Sequence, residues 1–207
     1  MKSAAERLQS DKYQKIIQAA THVFASKGFY NSKVSDIARE ADVADGTIYL
    51  YFKNKDDILI SIFEYSMDTF ISSVEQTLAG LKDPIEKLNR FIFLHLELVQ
   101  NNQDVAQVLQ IELRQSSKFM KEYAATKFVD YLNIISKILE EGQGSGVFKK
   151  DINPMIVKRA IFGAVDEMAL EWVLMKKKKY TMNEVANQIC VMLTEGLKTP
   201  LKGTEAP

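Results

Sequence analysis

The 207-residue sequence has one cysteine, one tryptophan, two histidines and four prolines, and its 27 basic and 27 acidic side chains cancel. Each shortage excludes something. A lone Cys190 can neither close an intramolecular disulfide nor build a cysteine-cluster metal site. Four prolines and nine glycines are too few turn formers for a many-turned all-β fold. With only His22 and His95, the paired Glu-x-x-His of a di-iron bundle cannot be assembled. No glycine-rich phosphate loop or nucleophile triad is present, so no enzymatic activity is expected. No stretch reaches 18 uninterrupted apolar residues, and the start Met1-Lys2-Ser3-Ala4-Ala5-Glu6-Arg7 has no apolar signal core. The expectation is a soluble cytoplasmic protein without a membrane partner or a metal. Zero net charge argues against coating nucleic acid by bulk electrostatics, but leaves room for a local DNA-binding patch.

What the chain does contain is a globular composition, 46% hydrophobic and 26% charged, long enough for one or two domains. Apolar residues recur at helical spacing almost throughout. Ile16, Ile17, Ala20, Val23 and Phe24 form one face of a helix that ends at Gly28. A short helix follows, with Ser35 as its N-cap and Ile37, Ala38 and Ala41 inside. After a turn, Asp45–Leu50 forms another. Asn54 caps a long helix to about Gly80, and Asp83-Pro84 opens the next, which Asn101-Asn102 breaks. Helices are then predicted from Val105 to about Arg114 and from Lys118 to about Glu141. Gly142 to Gly146 is the plainest break. Asn153-Pro154 and Thr181 open the last two helices, and Lys202–Pro207 is a loose tail. The fold class is therefore all-α with about nine helices: a DNA-binding domain over 1–53, a ligand-binding and dimerisation domain over 54–200, and the tail 201–207.

Two short helices joined by a tight turn and braced by a third make a helix-turn-helix. Val34–Ala41 is its first helix and Asp45–Leu50 its recognition helix. Gly46 permits close approach to the duplex, and Thr47 offers a hydroxyl and a methyl. Tyr49 and Tyr51 carry phenols that reach phosphate oxygens, while Ile48, Phe52 and Phe24 serve the core and leave both tyrosines free. Lys55 sets a cation beside a helix N-terminus. The charge is uneven: residues 12–35 carry Lys12, Lys15, Lys27 and Lys33 with no acid, whereas 36–45 carry Asp36, Glu40, Asp42 and Asp45 against Arg39 alone.

Residues 12–59 resemble the N-terminal domain of the TetR family of bacterial repressors. The resemblance rests on Ile16-Ile17-Gln18-Ala19-Ala20, Lys27-Gly28-Phe29, Val34-Ser35-Asp36-Ile37-Ala38, and the string Gly46-Thr47-Ile48-Tyr49-Leu50-Tyr51-Phe52-Lys53-Asn54-Lys55. It implies phosphate contacts at Ser35 and Lys55; Lys33 stands where relatives often have threonine, a cation suited to a further one. It also implies a major-groove helix spanning Ala44, Asp45, Gly46, Thr47, Tyr49 and Tyr51, two copies of which read a palindromic double-stranded operator. Across its length the chain also resembles the acyl-CoA-responsive repressors of fatty-acid degradation (FadR-type), through Asp11–Lys15, Ile111-Glu112-Leu113-Arg114-Gln115 and Gly163-Ala164-Val165-Asp166-Glu167. That implies release from DNA by a small hydrophobic effector, long-chain acyl-CoA or a fatty acid.

The second half bears on that expectation. Large apolar residues crowd the middle helices, Phe119 and Tyr123 among them. Those expected around an acyl chain are Phe91, Leu94, Leu98, Leu113, Phe128, Tyr131, Ile135 and Phe162, with His95 among them unless it is a satisfied core histidine. Three of the five arginines, Arg90, Arg114 and Arg159, are suited to an anionic head. Asp166, Glu167 and Glu112 keep an alternative open, a multidrug sensor controlling an efflux gene, because cationic drugs favour carboxylates beside aromatic faces. The helix Ile156–Met175 is apolar on more than one side, and Ala160, Gly163 and Ala164 admit a close neighbour. With the last helix, through Val185, Ile189, Met192 and Leu193, it is expected to form half of a four-helix homodimer interface.

Overall fold

The structure is a computed structural model describing residues 11–116 and 127–200. Among these residues all regular structure is helical, apart from one isolated antiparallel bridge between Phe148 and Lys198. The helices are α1 (Asp11–Lys27), α2 (Val34–Glu40), α3 (Asp45–Ile48), α4 (Lys55–Leu78), α5 (Pro84–Asn101) and α6 (Gln103–Gln107). A π-helical turn, π1 (Val108–Glu112), leads into α7 (Leu113–Gln115), and α8 (Lys127–Gly144), α9 (Pro154–Leu174) and α10 (Met182–Leu197) complete the order. The expected helix start at Lys118, Phe119, Tyr123 and the tail Lys202–Pro207 lie outside the described residues.

The chain divides into two compact units. One holds residues 11–69 with 102–116 and Lys127, the other 70–101 with 128–200. This grouping departs from a boundary at residue 53. The reason is contact at long sequence separation: α6 and π1 pack on α1, and His22 Nδ1 lies 2.8 Å from an Asp104 carboxyl oxygen.

In the first unit, α1 buries Ile16, Ile17, Ala20, Val23 and Phe24, each large one contributing about 1.5–3 kcal/mol on burial. Asp11 in its first turn and Lys27 in its last both suit the helix dipole. Gly28, at φ +79°, supplies the left-handed residue that ends it. The turn between α2 and α3 closes as Val43 N–H donates to Ala38 O at 3.0 Å. It places Asp42 at φ +52°, a conformation an Asp side chain tolerates. Ser35 is not the N-cap of α2. The helix starts at Val34 and Lys33 is the cap residue. The capping acceptor is Asp36, whose carboxylate takes the Lys33 N–H at 3.0 Å. Lys27 and Arg39 also engage it, which holds its pKa below the ordinary carboxylate value. Asn54 caps α4 as expected, accepting from Asp57 N–H at 2.9 Å, while Asp57 accepts from Lys53 N–H at 2.8 Å.

In the second unit α10 packs mainly on α5, and α9 on both. Asp83, Asn153 and Thr181 cap α5, α9 and α10 through Ile85, Met155 and Glu184 N–H groups. Gly142 to Gly146 is not one break. α8 runs through Gly144 because Gly142 leaves room for the buried Phe148 ring, which an added Cβ would overlap. Val185 and Ile189 are buried within the chain. The large apolar side chains left exposed are Val129 on α8, Met155, Ile156 and Leu174 at the two ends of α9, and Val191 and Met192 on α10.

Candidate DNA interface and effector site

The helix-turn-helix presents an outer face on a rigid inner one. Ile37, Ala38, Ala41, Ile48 and Phe52 are buried. Lys33, Ser35, Ala44, Asp45, Gly46 and Tyr49 are exposed, and Thr47 is half-buried. An added Cβ at Gly46 would meet nothing within 4 Å, so the face is open there. Tyr49 is 58% exposed.

Two expectations for this face need correction. Tyr51 is not free. It is half-buried, with its ring 6.2 Å from Tyr13 and 6.3 Å from Phe52, so it belongs partly to the packing that holds α3. Lys55 turns its ammonium inward. Nζ donates to Phe29 O at 2.6 Å, Ser32 O at 3.0 Å and Tyr30 O at 3.3 Å, and lies 4.5 Å from the Phe29 ring centroid. An ammonium has three donors, and here each has a carbonyl.

In the second unit an aromatic cluster joins four helices. Tyr131 (α8) lies 5.1 Å from Phe91 (α5), 5.7 Å from Phe70 (α4), 5.8 Å from Phe162 (α9) and 6.2 Å from Phe128, ring to ring. Phe128 and Phe162 meet edge to face at 4.7 Å. Five of the expected lining residues, Phe91, His95, Phe128, Tyr131 and Phe162, are thus brought together. Ile135 is buried on the same helix as Tyr131, and Leu94 and Leu98 are half-buried on α5. Leu113 falls in the other unit, buried. So does Arg114, exposed and donating to Gln110 Oε1 at 2.7 Å. Arg90 and Arg159 are exposed on α5 and α9. Phe70 was missed, because one aromatic on the long face of α4 looks like any other core position.

One polar group lies inside this cluster. His95 Nδ1 and the Tyr131 hydroxyl are 3.0 Å apart. Burial pushes the histidine pKa down to about 4, against the opposing charge of Asp166, so the imidazole is neutral near pH 7. Burial and Asp166 push the Tyr131 hydroxyl up, so it keeps its proton. The centre of the cluster is therefore uncharged but able to hydrogen-bond. Among the described residues, no group of three or more metal-ligating side chains is placed to hold an ion. No helix among them is long and apolar enough to cross a membrane.

Residues 16–62 match the family described as bacterial regulatory proteins, tetR family, and residues 63–196 match the YsiA-like protein C-terminal region. The chain is 41% identical to the fatty acid metabolism regulator protein of Bacillus subtilis over 90% of its own length and 95% of that protein. Its fold superposes on FadR from Bacillus subtilis in complex with stearoyl-CoA with a TM-score of 0.84, covering 89% of this chain and 98% of that one at 41% identity. The fatty acid degradation regulator FadR from Bacillus halodurans gives 0.83 at 36% identity, covering 90% of this chain and all of the other. An open helix-turn-helix face on a capped scaffold, matched over both units, shows that the chain belongs to the TetR family of bacterial regulatory proteins and is a DNA-binding transcriptional repressor.

Proposed function

We propose that the repressor is released from a palindromic operator by long-chain acyl-CoA and controls genes of fatty-acid degradation. The observation that carries this is the aromatic cluster of the second unit. It is apolar around an uncharged His95–Tyr131 pair, in a chain similar over nearly its whole length to a protein solved with stearoyl-CoA. An acyl chain is stabilised by apolar burial at about 0.8 kcal/mol per methylene, and the neutral pair offers a hydrogen bond without a charge. Arg90 and Arg159, both in the unit that holds the cluster, are candidates for the nucleotide phosphates, because their exposed guanidinium groups can meet a head group that stays in water.

The homodimer forms through α9 and α10. Ala160 and Gly163 are exposed on α9 beside exposed apolar side chains on both helices, as close packing against a second copy requires. Two-fold symmetry then sets two copies of α3 about one DNA turn apart. Lys33, Ser35, Ala44, Asp45, Gly46, Thr47 and Tyr49 form the contact surface, with Tyr51 at its edge. A ligand that alters the half-site spacing costs contacts at both, which is the differential affinity that release needs.

A gel shift on duplexes selected by the protein from a random pool, titrated with acyl-CoAs of increasing length, tests the effector. Long chains should abolish the shift at micromolar levels and free CoA should not. If no chain length acts, the acyl-CoA reading fails. Gly163→Leu should weaken the dimer in sedimentation. Asp166, which acts electrostatically on both His95 and Tyr131 within the ring cluster, favours a second reading, a cationic drug sensor. Release by a cationic dye but not by acyl-CoA would select it.

A further inference from the structure

Glu112 is an acid at a buried position. It is the last residue of π1, only 7% exposed, and its carboxyl oxygen accepts the Phe29 N–H at 2.7 Å. The two residues are 83 apart in sequence. Gly28 lies alongside: an added Cβ there would stand 3.7 Å from the same oxygen, an ordinary van der Waals contact. The π-turn makes the Glu112–Phe29 contact possible. One extra residue in a turn rotates the residues after it by about 100° relative to an uninterrupted α-helix, and that rotation decides which way Glu112 points.

The carbonyls of the same loop are held by a different helix. Lys55, at the start of α4, takes those of Phe29, Tyr30 and Ser32. Phe29 therefore has its N–H held by an acid from π1 and its C=O by a base from α4. The chain leaves this loop through Lys33 into α2, which carries Ser35. Whatever fixes the loop fixes the entry of α2, and with it the phosphate-facing end of the reading head.

We propose that Glu112 is a positioning residue for operator binding. Together with Lys55 it clamps the loop Phe29–Ser32, so that affinity for DNA depends on two side chains that do not touch it. This rests on the reading of α2 and α3 as the DNA-contacting face. A clamp and a phosphate ligand differ in their salt dependence, because losing a phosphate contact lowers the slope of log affinity against log salt by about one, whereas losing a clamp leaves it unchanged.

The test uses the full-length dimer and a duplex that the wild-type protein selects from a random pool, with affinities scaled to the folded fraction measured by circular dichroism. Glu112→Ala should lose operator affinity by about tenfold or more with an unchanged salt slope. Glu112→Gln, whose side-chain carbonyl still accepts from an N–H, should stay within about threefold of wild type. Lys55→Ala should also keep the salt slope, and the double variant should be little worse than the weaker single one, since both act on one loop. Wild-type affinity in Glu112→Ala overturns the proposal, as does a Gln variant as weak as Ala. A salt slope lowered by about two in Lys55→Ala, one phosphate for each protomer, returns that lysine to a phosphate and overturns the clamp. If the wild-type protein selects no duplex, the DNA-binding reading fails instead.

Discussion

The two units solve opposite problems. The first must hold short helices still while leaving one face bare. α3 has four residues and α2 seven, lengths that are not stable as isolated helices in water. They are kept in place by ties to their ends: Asp36 on Lys33 N–H, Asn54 with Asp57, Lys55 on three carbonyls and Glu112 on Phe29 N–H. The second unit is built from long helices that hold themselves. α5, α8, α9 and α10 have 16 to 21 residues, and contact between their side chains decides everything else. Where the tie is a local hydrogen bond, as at Asn54, the residue that makes it is readable in the sequence. Where the backbone is stabilised by burial, many apolar residues look alike.

Substitutions can break this contrast in order of expected effect. The largest is Tyr49→Ala. Tyr49 is exposed and serves no core. Loss of one contact worth about 1–3 kcal/mol in each half-site should lower operator affinity by about thirtyfold or more, with dimer and thermal midpoint unchanged. Gel shift and sedimentation measure both, and an undiminished shift would remove Tyr49 from the interface. Tyr51→Ala should differ in kind, lowering the thermal midpoint as well, because its ring packs near Tyr13 and Phe52.

Next is Gly142→Ala, which forces a Cβ into the buried Phe148 ring. Overpacking of this kind costs about 1–3 kcal/mol or more in denaturant unfolding. A neutral result would mean that the loop after α8 shifts freely despite its bonds to α10, where Lys149 N–H donates to Leu197 O at 2.9 Å and Thr199 N–H to Val147 O at 3.0 Å.

The His95 site is smaller and depends on pH. Its pKa is about 4 folded, against the ordinary 6.5. Between those values the unfolded chain binds a proton that the folded chain does not. Stability is therefore unaffected above about pH 6.5 and falls as the pH drops from there towards 4. A His95→Gln variant should show a shallower loss between pH 7 and pH 4.5, by roughly 1–3 kcal/mol in chemical denaturation. An identical slope in both proteins would show that the imidazole is solvated.

The smallest effect expected is that of Arg159→Ala on acyl-CoA affinity, no more than about fivefold, since an exposed cation facing a solvated phosphate contributes about 0.2–1 kcal/mol. Calorimetry with acyl-CoA and with the matching free fatty acid would show whether the loss belongs to the head group alone.

The sequence by itself determined the helical class, the helix-turn-helix and the helix starts at Asn54, Asp83, Asn153 and Thr181. Each of these is local: a cap bonds an N–H two or three residues on, and an amphipathic face repeats every three or four. It also determined that Tyr49 faces outward, because Ile48 and Phe52 fill the core around it. The tertiary structure alone decided which aromatics meet His95, that Tyr51 is half-buried, that Lys55 turns inward to a loop some 25 residues before it, and that Glu112 reaches Phe29. The physical reason is separation. A side chain's partner across 25 or 83 residues depends on how helices settle against one another, and at Glu112 on a single π-turn that no spacing of apolar residues announces.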